Sequence, residues 1–143
     1  MTRFVGRARE VALWLALAAC AAAPRGEEAP APEARYETLL TGSGTYAVEF
    51  RTLPAQVPLN EPFEIEFRLR RSDGAPLGEV RCEVDATMPA HRHGMLRAPT
   101  VDSYPDGSFR ARGMLLHMTG EWVFTFDVRR GGRTERAQWA LSL

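Results

Sequence analysis

The chain predicts an all-β fold: an immunoglobulin-like antiparallel β-sandwich of about seven strands, preceded by a signal peptide and a disordered tether. Three observations carry this expectation. Apolar and polar residues alternate with period two in short runs after residue 45. Turn-forming residues separate those runs. No helical stripe of useful length appears in the same region.

Residues 1–19 read as a lipoprotein signal peptide. Arg3, Arg7 and Arg9 supply a basic leading segment. The apolar run from Val11 to Ala19 is shorter than the roughly 20 residues a membrane-spanning helix needs. It ends in Leu17-Ala18-Ala19-Cys20, which resembles the bacterial lipoprotein box, where the cysteine thiol receives a lipid and becomes the new N-terminus. Cys20 is therefore the expected lipidation site. The alternatives are an ordinary signal peptide with a chance cysteine, or an amphipathic N-terminal helix. Ala21, a non-aspartate, fits outer-membrane sorting in Gram-negative lipoproteins. The expected place is extracytoplasmic, lipid-anchored to a bacterial membrane and facing the periplasm.

Residues 20–44 are the expected tether. From Ala21 to Ala34 the segment is rich in Ala, Pro and Glu and has no apolar periodicity. It cannot bury a core and should be extended, holding the domain roughly 40 Å from a membrane at about 3.1 Å per residue. Gly42-Ser43-Gly44 reads as its last flexible joint.

The domain is expected over residues 45–143, about 100 residues, enough for one core and not two. Tyr46 to Thr52 is the first strand. Phe63, Ile65, Phe67 and Leu69 alternate with Glu64, Glu66, Arg68 and Arg70, the clearest strand in the chain. Val80 to Ala86 is next, with Val80, Cys82, Val84 and Ala86 on one face. A weaker strand lies within Leu96 to Tyr104, and Tyr104-Pro105-Asp106-Gly107 is a strong turn signal. Phe109 to Leu116 follows. Trp122, Phe124, Phe126 and Val128 form the next inward face. Gly131-Gly132 suits a tight hairpin needing positive φ, and Ala137, Trp139, Leu141 and Leu143 close the domain.

The formal charge is zero for the whole chain, from 18 basic and 18 acidic residues. Removing residues 1–19 leaves 15 basic and 17 acidic residues. No basic face is implied, so no nucleic-acid partner is expected. With Cys20 lipidated, Cys82 stands alone and reads first as a buried thiol acting as a small hydrophobe, with a metal ligand or a redox partner as the alternatives.

All three histidines and four of the five methionines fall between Met88 and Met118. They form two clusters, Met88-Pro89-Ala90-His91-Arg92-His93-Gly94-Met95 and Met114-Leu115-Leu116-His117-Met118. Imidazole and thioether are the donors that favour copper, thioether especially Cu(I). Spaced i, i+2 on an extended chain, His91 and His93 share a face, and Met95 joins them. If the register of Cys82 ran on, Met88 would point inward and the other three outward, although Pro89 interrupts that extrapolation.

The second cluster has two possible registers. If Phe109, Ala111 and Leu115 point inward, so does His117, with Met114 and Met118 outward. A bulge at Gly113 reverses that. Methionines beside Leu115 and Leu116 are more often core filler than ligands, and Met114 is read that way first. The expected ligand set is His91 and His93, completed by Met95, His117 and Met118. Asp85 is a candidate to orient an imidazole.

These residues also carry a resemblance. Val84-Asp85-Ala86-Thr87-Met88-Pro89-Ala90-His91-Arg92-His93-Gly94-Met95, with Asp106-Gly107-Ser108-Phe109-Arg110-Ala111 and His117-Met118-Thr119-Gly120-Glu121-Trp122, resembles the YtkA-like domain family of bacterial exported proteins and, more distantly, FixH. The resemblance covers about residues 45–143. It implies a small immunoglobulin-like sandwich, often lipid-anchored, without established enzymatic activity and linked to copper handling or respiratory-oxidase assembly. A periplasmic Cu(I) chaperone family with a His/Met motif is a partial match, since its pattern ends His-x-Met whereas His117 and Met118 are adjacent.

The expected function is a membrane-anchored, extracytoplasmic protein that binds copper as Cu(I) and buffers or delivers it, with an envelope or oxidase-assembly protein as partner. The alternative is a non-metal immunoglobulin-like interaction module of the cell envelope. No enzyme is expected: no serine or cysteine stands in a nucleophile motif with a histidine, and no Gly-rich phosphate loop appears.

Overall fold

The structure, a computed structural model, describes residues 35–143. The signal peptide 1–19, the lipidation site Cys20 and the tether up to residue 34 lie outside the described residues.

Nine strands are formed among the described residues: β1 (Glu37–Leu40), β2 (Tyr46–Leu53), β3 (Phe63–Arg71), β4 (Arg81–Met88), β5 (His93–Gly94), β6 (Thr100–Ser103), β7 (Ser108–Met114), β8 (Glu121–Arg130) and β9 (Arg133–Ser142). They make two antiparallel sheets, ordered β1-β2-β3-β7-β6 and β5-β4-β8-β9. Without β1, those orders are the A-B-E-D and C′-C-F-G sheets of an immunoglobulin domain. The expected sandwich is the one formed, and its seven expected strands are β2, β3, β4, β6, β7, β8 and β9.

Alternation explains the core. Phe63, Ile65, Phe67 and Leu69 of β3 face Trp122, Phe124, Phe126 and Val128 of β8 across the sandwich, and all eight are buried. Phe67 packs edge-on against Phe126 at 5.5 Å between ring centroids, and Phe124 lies 4.8 Å from Trp139. Each such side chain contributes about 1.5–3 kcal/mol on burial. Cys82 belongs to this core, where burial first, then the charges of Asp127 and Glu83, push its thiol pKa up to about 12.

One boundary differs from expectation. The domain begins at Glu37, not residue 45, because β1 pairs with β2 from Glu37↔Phe50 to Leu40↔Ala47. The Gly42-Ser43-Gly44 segment is a tied turn rather than a joint. The N–H of Gly42 donates to the Arg136 carbonyl at 2.9 Å, and the Thr41 hydroxyl donates to Glu135 at 2.8 Å. Tyr36 donates to the scarcely exposed carboxylate of Glu66, which also receives Arg51 and Arg110. β1 shows little alternation because it is held by backbone pairing and this network, not by an apolar face.

Through Met114 the register of β7 follows the second of the two expected alternatives; beyond the strand Met118, which that alternative turns inward, is exposed. Phe63 pairs with Met114 but Ile65 with Ala111, so three residues of β7 oppose two of β3. Gly113 takes up the extra residue at φ +79°, with open space where a side chain would stand. Met114 and Leu116 therefore point into the core and are fully buried.

Candidate metal centre

Strand directions bring three connections to one end of the sandwich: residues 54–62 between β2 and β3, 89–92 between β4 and β5, and 115–120 between β7 and β8. Leu59 bridges to Leu116, and the N–H of Asn60 donates to the Leu116 carbonyl at 2.8 Å. Gly120 and Leu143 exchange two backbone hydrogen bonds, at 3.0 and 3.1 Å, closing the same end. The two His/Met clusters, remote in sequence, meet here.

The first cluster is not an extended run. Met88 pairs with His93, so Pro89 to Arg92 form a four-residue hairpin loop. The N–H of His91 donates to Met88 at 3.1 Å, that of Arg92 to Pro89 at 3.3 Å, and Arg92 lies at φ +56°. His91 and His93 thus do not share one strand face as expected; His91 is on the turn and exposed, His93 on β5 and half-buried. Pro89, with its fixed φ, starts the turn, and fully buried Met88 anchors it. The two rings still adjoin, with centroids 5.7 Å apart.

His93 also adjoins His117, at 5.2 Å. Two imidazoles sharing one ion at metal–nitrogen bonds of about 2.0 Å have ring centroids no more than about 6 Å apart. Both pairs meet that limit. As placed, no three His, Cys, Asp or Glu side chains among the described residues converge on one point able to hold an ion.

The ring nitrogens differ in their surroundings. Nδ1 of His93 lies 3.3 Å from the Gly94 carbonyl. A carbonyl only accepts, so this long contact is a hydrogen bond in the Nδ1–H tautomer, which carries its lone pair on Nε2. Nδ1 of His117 is buried and has no hydrogen-bond partner among the described residues. Leaving such an atom unsatisfied costs about 1–3 kcal/mol.

Trp122 floors the cluster. Fully buried, it lies edge-on to His117 at 5.6 Å and to His93 at 6.1 Å. Its indole N–H donates to the Met118 carbonyl at 3.0 Å. Alternation marks Trp122 as a core residue of β8, but nothing local announces its place under two histidines.

The thioethers divide. Met88 and Met114 are fully buried in the core. Met95 is half-buried against that core, its N–H donating to the Ala86 carbonyl at 3.1 Å. Met118 is 38 % exposed, on the segment that carries His117. Asp85 departs from expectation: it is exposed, its Oδ1 accepts the Ala86 N–H at 2.8 Å, and among the described residues it bonds no imidazole. The Cys82 thiol lies in the core, away from the histidines in β4, with its inward neighbours Val84, Ala86 and Met88 between.

No family model, curated protein or solved structure matches the chain.

Proposed function

We propose that this domain binds copper as Cu(I) and buffers or delivers it outside the cytoplasm, tethered to a bacterial membrane through Cys20. The observation that carries the reading is the meeting of His93 with His117, whose buried Nδ1 lacks a partner among the described residues. Imidazoles at pair distance, with the Met118 and Met95 thioethers nearby in sequence, form a donor set suited to Cu(I). The YtkA-like resemblance of the same residues supports a link to copper handling or respiratory-oxidase assembly, with metal binding rather than catalysis as the role.

The test is an anaerobic Cu(I) titration against a competing chromogenic chelator. It uses the full chain carrying Cys20→Ser, because a free thiolate there would itself take Cu(I). The expected result is one tightly held equivalent, lost in the His91→Ala/His93→Ala double variant with the fold intact. Failure to compete at micromolar protein would sink the proposal.

A second reading, a docking module without metal, draws on the exposed apolar side chains of Leu59 and Met118 at the histidine end. It predicts that the double variant loses a protein partner while the wild type takes up no copper.

A further inference from the structure

We infer that the three histidines form two overlapping two-histidine sites that share His93: an inner one with His117 that holds Cu(I), and an outer one with His91 that releases it. This rests on the copper proposal above and specifies how the ion leaves.

The two sites follow from distance and burial together. His93 stands within shared-ion distance of both neighbours, at 5.2 Å from His117 and 5.7 Å from His91. No three His, Cys, Asp or Glu side chains among the described residues converge, so we take the histidines as two pairs and not one triad. His93 has a single available lone pair, at Nε2, because Nδ1 is turned to the Gly94 carbonyl. Whichever partner the ion takes, His93 is the pivot.

The partners are unlike each other. His117 offers a buried Nδ1 with no competing hydrogen bond among the described residues, over the edge of fully buried Trp122. Bulk solvent does not reach that atom, so an ion bonded to it would be shielded. His91 is exposed on the four-residue turn. An ion bonded to His93 and His91 stands open to an incoming donor. Cu(I) accepts two donors readily, and exchanging one neutral imidazole for another changes neither charge nor proton count; a thiol acceptor would give up its proton on binding. The bond to His117 Nδ1 breaks as the bond to His91 forms, and an acceptor's nitrogen or sulfur then displaces His91 and finally His93. The acceptor class this fits is a soft-donor site on another protein, approaching past exposed Met118 and Leu59.

The test uses the full chain with Cys20→Ser, loaded anaerobically with one equivalent of Cu(I). Affinity and the rate of transfer to a bidentate Cu(I) chelator are measured in the added His91→Ala and His117→Ala variants. Loss of the inner ligand should weaken affinity by about tenfold or more, whereas His91→Ala should keep affinity within about threefold and slow transfer by about tenfold. Equal losses of affinity in the two variants would replace the relay with a three-ligand site, and an unchanged transfer rate in His91→Ala would remove the outer site. If His117→Ala does not fold, imidazole ¹⁵N spectra of the loaded parent decide: Nε2 of His93 and Nδ1 of His117 should shift and His91 should not, and an equal shift at His91 overturns the inference. A parent protein that takes no Cu(I) overturns the copper proposal itself, a result distinct from any difference between variants.

Discussion

A Cβ on Gly120 would stand 2.9 Å from the terminal methyl of Met88. Met88 ends the strand before the Pro89–Arg92 turn, and Gly120 follows Met118 by two residues. The close approach of these two residues locks the histidine-bearing segments against each other. At φ +126°, Gly120 also occupies backbone space that side chains rarely enter. Gly120→Ala is therefore expected to cost about 2–4 kcal/mol from strain and overpacking together. Thermal or urea unfolding measures the loss. Met88→Ala, which leaves a cavity, should cost about 2–5 kcal/mol without removing a ligand.

The bulge at Gly113 sets which face of the β7–β8 segment carries His117. Gly113 lies at φ +79° with no atom within 4 Å of where its Cβ would stand, so a side chain there meets strain but no clash. Gly113→Ala should cost about 1–2 kcal/mol. Deleting Gly113 should do more, because restoring plain alternation would turn Met114 outward. Urea midpoints and tryptophan fluorescence, to which Trp122 at the histidine end contributes, separate the two outcomes.

Glu66 predicts an acid-sensitive N-terminal strand. Hydrogen bonds from Tyr36 foremost, then from Arg110 and Arg51, hold its carboxyl below the ordinary glutamate range against the opposing effect of burial. A folded pKa depressed below the unfolded one means stability is fully present above the unfolded value, near pH 4.5, and is lost as pH falls through the folded value. Glu66→Gln should cost about 1–3 kcal/mol at pH 7, with a smaller difference from wild type at pH 3. Unfolding midpoints at the two pH values check it, and equal differences would contradict it.

Cys82 should be inert while the domain is folded. With its thiol pKa pushed up to about 12, almost no thiolate exists at pH 8. In the Cys20→Ser protein, iodoacetamide should label Cys82 at the unfolding-limited rate in buffer and rapidly in urea, as mass spectrometry would read. Cys82→Ala should leave Cu(I) affinity unchanged; a loss would place the thiol in the site.

Much of the scaffold is legible in order along the chain. Alternation is a local property, so Phe63 to Leu69 and Trp122 to Val128 announce both their strands and the faces they bury. Turn chemistry is local too. Gly131 and Gly132 sit at φ +53° and +79° between paired Arg130 and Arg133, as a two-residue hairpin requires. Glu37 to Leu40 escapes such reading because its stability comes from β2 and from Tyr36 on Glu66, groups absent from the segment's own pattern.

By itself, the sequence determined seven of the nine strands, most of their inward faces, the buried character of Cys82, and the two His/Met clusters as the chemistry worth finding. Only the tertiary structure decided which histidines meet. The β7 bulge turned the second cluster, the Pro89 turn took His91 off the strand, and the packing of Met88 under Gly120 drew His93 to within 5.2 Å of His117. The physical reason is range: alternation and turn preference are set by neighbours along the chain, whereas a shared site is set by contacts between segments whose distance no local pattern encodes.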